Sequence, residues 1–393
     1  MTMDARKIGI VGAGAMGSGI AQVALRHGHK VVMGDTNDVA IARGRGAIEK
    51  AFQREVEKQR MTDDQAASAM AVLTLADTSR GMDLFADCHV VIEAIVERLD
   101  VKQQSFRALE DVVGEGTILA SNTSSLSIAS IAGVCDRPER VLGVHFFNPA
   151  TVMPLVEIVP GLRTAPDVVA EARALVDGWG KTTVAAADTP GFIVNRIARP
   201  FYSEALRLFD DGEADMATID WAMRDVGGFR MGPFELMDFI GHDVNYLVTE
   251  SVWTAMYFDP RYKPSLTQKR LLEAGLLGRK TGRGFYEYGD ASPREAPTAD
   301  RATGERIFLR ILAMLVNEAA DAVHLRIASA SDVELAMTRG VNYPRGLLSW
   351  GNEVGPARLL EILEACQRES PDGRYRPSPL LRRCVRDGIP LPT

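Results

Sequence analysis

Cysteine is scarce in this chain: Cys88, Cys135, Cys366 and Cys384 lie scattered among 393 residues, without a CxxC pair. That excludes a disulfide framework and a thiolate zinc site, so no metal is expected, and it fits a reducing compartment. No apolar stretch approaches the roughly 20 residues of a membrane-spanning helix. The start, MTMDARKIGIVGAG, passes from a short polar lead into a strand without a signal-peptide core. A cytoplasmic location with no membrane partner is expected. Excess basic charge is also lacking. The formal net charge of −7 argues against nucleic acid or an anionic membrane surface as partner, and any phosphate-bearing ligand must be met by local basic clusters. What is present is ordinary globular composition, 46% apolar and 25% charged, in a chain long enough for two or three domains.

The N-terminus carries the first chemistry. The apolar run Lys7–Val11 ends in Gly12-Ala13-Gly14-Ala15-Met16-Gly17, a helical pattern follows, and a second strand, Lys30–Met33, leads to Asp35, 18 residues past Gly17. Gly12 permits the tight turn, Gly14 lets the backbone approach a pyrophosphate, and Gly17 lets helix and strand pack closely. The helix N-terminus offers N–H groups and positive dipole to the phosphates. Asp35 suits the adenosine ribose hydroxyls and repels a 2′-phosphate, and Thr36 and Asn37 supply no arginine, so NAD is expected over NADP. A glycine corner alone is a weak signal; here the strand, helix, second strand and acidic residue are all in place. Residues 39–70 read as a long basic amphipathic helix and a second helix after Thr62. Strands are expected at 73–75, 90–94, 118–120 and 141–144, with helix over 99–113, as in a doubly wound α/β domain.

Functional residues in such sheets lie beyond the strand ends. There stand Glu97 and Lys102, then Ser121-Asn122-Thr123-Ser124-Ser125, then His145-Phe146-Phe147-Asn148-Pro149, with Glu157 12 residues past His145. Histidine suits general acid–base work near neutral pH. Glu157 falls in an otherwise apolar run, where an unpaired carboxylate is costly and a histidine partner would resolve the cost. The alternatives, a histidine that only packs and a serine-rich turn that only caps, are left open by spacing alone.

Taken together, GAGAMG, Asp35, the run ending at Glu97, SNTSSL, HFFNP, LVEIV and Thr189–Arg196 (TPGFIVNR) resemble the L-3-hydroxyacyl-CoA dehydrogenase family over essentially the whole chain. The resemblance implies NAD-dependent, reversible oxidation of an (S)-3-hydroxyacyl-CoA to a 3-oxoacyl-CoA, with an acyl-CoA as partner. It makes His145 the acid/base, Glu157 the residue that orients it, and Ser124 and Asn195 the residues at the substrate oxygen. It sets Gly12, Gly14, Met16, Gly17, Asp35, Glu97, Lys102, Asn122, Asn148 and Lys280 around NAD. The basic helix at 41–60 is then a rim for the CoA phosphates.

Beyond residue 188 the pattern is helical, and it repeats at a constant offset of 114 residues. Arg196 falls on Arg310, Glu204 on Glu318, Ala222-Met223 on Ala336-Met337, Gly232 on Gly346 and Gly241 on Gly355. The expected architecture is an α/β N-terminal Rossmann-type doubly wound domain (1–187) followed by two repeated all-α domains: a catalytic one (188–288), a linker (289–304) and a degenerate copy (305–393). Asn195 falls on Leu309, so the second copy is expected to pack rather than react, giving a monomer with an internal pseudo-dimer or a homo-oligomer. Residues 198–205, 340–344 and 374–377 resemble the 3-hydroxyadipyl-CoA and 3-hydroxybutyryl-CoA dehydrogenases, as used in fatty-acid or aromatic-acid catabolism. Nothing before residue 7 is expected to hold a hydratase domain. Two other readings stand beside this one: a dehydrogenase of a free hydroxy or sugar acid, and a non-catalytic NAD-binding structural protein.

Overall fold

The computed structural model describes residues 5–289 and 295–393. The chain divides into two compact units, 1–189 and 190–393.

The first unit is built on eight strands: β1 (Lys7–Val11), β2 (Lys30–Asp35), β3 (Leu73–Asp77), β4 (Val90–Glu93), β5 (Ile118–Ser121), β6 (Val141–Phe146), β7 (Leu155–Pro160) and β8 (Thr182–Ala185). They form one sheet in the order β3-β2-β1-β4-β5-β6-β7-β8. Strands β1 to β6 are parallel, and the strand order reverses between β1 and β4. The C-terminal ends of those two strands therefore border the crevice where such sheets bind ligands. The central strands are buried along their whole length because helices cover both faces, which is why they read as unbroken apolar runs. The first expected helix spans Asp38–Glu57 with equal numbers of basic and acidic residues, because Lys58 and Arg60 fall past its end, and is capped by Asn37, whose side chain accepts from the Val39 and Ala40 amides; the second, Asp63–Ala71, starts in a Thr62/Gln65 capping box.

Two features depart from the sequence expectation. Strand β6 continues to Phe146, so His145 lies within the strand rather than past its end. β7 runs antiparallel to β6, and β8, not anticipated, pairs parallel with β7. The connection 147–154 is shorter than the dozen or so residues that a parallel crossover needs, so the chain must turn back on itself.

The second unit is helical, and the two copies share it rather than forming separate units. Their correspondence extends to local detail. Helix Met216–Trp221 passes into a π-helical turn, Ala222–Val226, and helix Ala330–Leu335 passes into Ala336–Gly340 in the same way. Buried Asp220 accepts the amides of Phe234 and Glu235, while its counterpart Glu334 accepts that of Ser349. Gly241 and Gly355 hold φ of +95° and +100° at matching helix junctions.

The expected linker ends earlier than residue 304. Asp300 caps a helix through the Thr303 amide, so 301–304 already belong to helix Arg301–His324; residues 290–294 lie outside the described ones.

The copies differ where chemistry was expected. In the first, Gly191 (φ +77°) and Phe192 (φ +45°) lie in a turn, and a helix begins only at Val194, beside Asn195; the matching stretch of the second runs inside the continuous helix Arg301–His324. Left-handed backbone at a phenylalanine costs on the order of 1 kcal/mol or more.

Candidate active site

The glycine corner has the geometry its sequence predicts. A Cβ on Gly12 (φ +107°) would lie 2.5 Å from the Ala94 carbonyl oxygen, and one on Gly17 would lie 1.8 Å from the Gly12 oxygen. Both positions therefore need glycine for close packing of β1, β4 and helix Ala15–Arg26. A Cβ on Gly14 would meet nothing within 4 Å, so this glycine faces open space, as a backbone that receives a phosphate must. Gly14 is also the N-cap, with no side chain capping the helix, and no acidic residue stands in the first turn. Asp35 ends β2 and braces the corner, accepting the Ala13 amide at 2.9 Å, while Met16 packs on the core beneath. These residues fit a dinucleotide.

His145 and Glu157 are direct cross-strand partners in the antiparallel pair β6/β7, so both side chains project from one face of the sheet. The contact is made: Nδ1 of His145 lies 2.6 Å from Oε2 of Glu157, and both residues are buried. The tight antiparallel turn accounts for their 12-residue spacing.

A second buried network links the neighbouring strand ends. Glu93, the last residue of β4, is fully buried and accepts Lys102 Nζ at 2.6 Å, Ser121 Oγ at 2.6 Å and the Ile95 amide at 2.7 Å. Lys102 also lies 3.2 Å from Glu97 Oε2. The other oxygen of Glu97 gathers the serine-rich turn, accepting Thr123 Oγ1 at 2.6 Å, the Ser124 amide at 3.0 Å and the Ser125 amide at 3.2 Å. Burial pushes the Glu97 carboxyl up, but the Lys102 charge with the Thr123 and Ser124 donors outweighs it and holds the group below the usual range. Glu97 and Lys102 thus position the turn that carries Ser124. Asn122 ties this turn to β6, its Oδ1 accepting the Phe146 amide at 2.8 Å, one residue after His145. Asn148 is exposed on the segment that follows β6.

Sequence reasoning misses Glu93, although a carboxylate ending the apolar run VVIE with a lysine nine residues on is the same signal that singles out Glu157. It misses Asp188 too. That residue accepts Ser127 Oγ and the amides of Ile128 and Ala129, which anchors the far side of the serine-rich turn. Asn195 and Lys280 belong to the second unit. From Gly191 to Pro200, Asn195 alone is not buried. Lys280 pairs with Asp243 at 2.5 Å. Among the described residues no cluster of His, Cys, Asp and Glu could hold a metal ion, and no helix is long and apolar enough to cross a membrane.

Known proteins resemble this chain. Residues 7–189 match the family model described as 3-hydroxyacyl-CoA dehydrogenase, NAD binding domain. Residues 191–288 and again 307–390 match the C-terminal domain model of the same family. The chain is 36% identical to a 3-hydroxyadipyl-CoA dehydrogenase of Escherichia coli, covering 98% of each chain. That alignment runs to 468 positions, more than the 393 residues here, so the relative carries residues that this chain lacks. The human mitochondrial hydroxyacyl-coenzyme A dehydrogenase is 38% identical over 72% of this chain and 91% of its own. Among solved structures, a 3-hydroxybutyryl-CoA dehydrogenase of Escherichia coli superposes with a TM-score of 0.91 at 34% identity, covering 98% of this chain and all of the other. The (S)-3-hydroxybutyryl-CoA dehydrogenase of Ralstonia eutropha gives 0.69 at 39% identity over 73% of this chain. The glycine corner, the strand-end residues and these likenesses agree: the chain belongs to the 3-hydroxyacyl-CoA dehydrogenase family, NAD-dependent oxidoreductases acting on CH–OH.

Proposed function

We propose that this protein oxidises (S)-3-hydroxyacyl-CoA thioesters to 3-oxoacyl-CoA, reversibly, in fatty-acid or aromatic-acid catabolism. The observation that carries the reading is the buried His145–Glu157 pair. With Nδ1 committed to Glu157, Nε2 is the atom that takes the proton of the 3-hydroxyl as hydride leaves C3. Glu157 fixes the tautomer and stabilises the imidazolium that forms, as the buried carboxylate of a catalytic triad does. Bound NAD supplies the hydride acceptor. Gly12, Gly14, Met16, Gly17 and Asp35 would hold its adenosine and pyrophosphate. Glu97, Lys102, Asn122 and Asn148 would order the nicotinamide end, and Lys280 is assigned to the cofactor by resemblance. Ser124 and Asn195 would donate to the substrate oxygen as its charge changes. In the reverse direction His145 returns the proton to the 3-oxo oxygen.

The test compares NADH formation from (S)-3-hydroxybutyryl-CoA with that from free 3-hydroxybutyrate and sugar acids, and NADH consumption with acetoacetyl-CoA. Turnover of both thioesters is expected. Activity on free acids alone would overturn the reading in favour of a hydroxy-acid dehydrogenase.

A further inference from the structure

Five arginines of the described residues are buried: Arg140, Arg196, Arg199, Arg261 and Arg374. Four of them have a carboxylate. Arg140 pairs with Glu110, Arg196 with Glu318, Arg261 with Glu318 and Asp321, and Arg374 with Asp372. Arg199 has none among the described residues. The residue is 5% exposed, donates through Nη1 to Thr249 Oγ1 at 2.9 Å and weakly to the Asn245 carbonyl at 3.4 Å, and its Nε makes no hydrogen bond. Its guanidinium lies over the Tyr202 ring at 4.9 Å, which offsets only part of the cost of a desolvated charge. Close by, the buried Tyr343 hydroxyl, held within the field of Arg199, also has no partner among the described residues. The site thus gathers a guanidinium and a phenol donor with unused capacity, and no anion.

We propose that Arg199 and Tyr343 bind the terminal carboxylate of a dicarboxylic 3-hydroxyacyl-CoA. The proposal rests on the dehydrogenase reading above and adds the substrate class. Arg199 follows Asn195 by four residues, and the backbone between them stays helical, with Ile197 and Ala198 bonded back to Ile193 and Val194. Residues so spaced present side chains to one face about 5–6 Å apart. In a six-carbon dicarboxylyl chain the terminal carboxyl stands three carbons beyond the hydroxyl-bearing one, a separation of about 3.8 Å. An acyl chain whose C3 oxygen meets Asn195 can therefore bring its far end to Arg199. A planar guanidinium matches a carboxylate in two parallel hydrogen bonds. Tyr343 comes from the second helical copy, which would give that copy a part in substrate choice.

The experiment measures kcat/KM of the full-length enzyme for (S)-3-hydroxyadipyl-CoA and for (S)-3-hydroxyhexanoyl-CoA, equal in carbon number but ending in a methyl group. The wild type is expected to prefer the adipyl thioester. The ratio of the two values should fall on the order of 100-fold in Arg199→Met, less in Arg199→Lys, and roughly 10-fold in Tyr343→Phe, which removes one neutral-donor hydrogen bond to a charged group. A wild-type ratio at or below one, or a ratio unmoved by these changes, overturns the proposal while leaving the dehydrogenase reading intact. Wild-type failure to oxidise either thioester overturns that reading as well. Should Arg199→Met not fold, the wild-type ratio and Tyr343→Phe decide.

Discussion

Glu157→Gln keeps the size of a buried side chain and removes only its charge. His145 would then lose the partner that stabilises its protonated form, while the sheet that holds both residues stays intact. Turnover should slow by roughly two to four orders of magnitude in this variant, with little change in KM; turnover near the wild-type rate would show that Glu157 only fills space. At this scale the sequence was legible wherever a residue's neighbours are its chain neighbours. Gly12, Gly14 and Gly17 could be assigned because a tight turn is a local event. Glu93 carried the signal of a carboxylate ending an apolar run, but that Lys102 and Ser121 converge on it, from a helix and from an adjacent strand, shows only in the fold. Arg199 was equally opaque: its sequence shows a cation, and only burial shows the missing anion.

At the scale of elements, the carboxylates that cap the helices of the second unit carry a pH signature. Burial pushes the Asp220 carboxyl up to about 7, helped by neighbouring Glu235, while the Phe234 and Glu235 amides and the Tyr286 hydroxyl pull it back only partly. Its counterpart Glu334 is raised by burial as well. An acid whose folded pKa is raised stays protonated while the unfolded chain ionises, so stability falls as pH climbs from about 4 to about 7 and the loss levels off above that. Asp220→Asn should flatten that part of the stability curve in denaturant titrations across this window. An unchanged slope would mean that Asp220 is ionised in the folded state. Element boundaries were legible in places, as at Thr62, after which the second helix begins. They were misplaced where the signal was short: β8 is only Thr182–Ala185 and lies just past Gly180, and Asp300 begins a helix inside what composition marks as a linker.

For the whole molecule, the contacts between the two helical copies obey a two-fold exchange. Arg196 pairs with Glu318 and Arg310 with Glu204, the same pair with the copies swapped, and the matched rings of Phe229 and Tyr343 meet at 5.0 Å. A self-complementary surface of this kind is what a homodimer uses, and here one chain supplies both sides. The 114-residue offset made this repeat legible; the reciprocal pairing needed the fold. Glu318 is the keystone, fully buried, with Arg196, Arg261 and Tyr262 all donating to it. Glu318→Gln should destabilise the protein by about 3–5 kcal/mol, because buried Arg196 loses its counter-charge and buried Arg261 keeps only that of Asp321; a loss under about 1 kcal/mol in denaturant unfolding would contradict this. Sedimentation equilibrium of the active enzyme should return the mass of one chain, 42.8 kDa, and an obligatory dimer would show that the internal copy does not replace a second subunit.

In the proposed reaction a histidine on β6, held by a carboxylate on β7, performs proton transfer for a hydroxyacyl thioester. Steady-state NADH formation from (S)-3-hydroxybutyryl-CoA by His145→Ala, beside the wild type at saturating NAD, tests it most directly. Turnover slower by roughly two to four orders of magnitude is predicted, and a variant that works at the wild-type rate would contradict it.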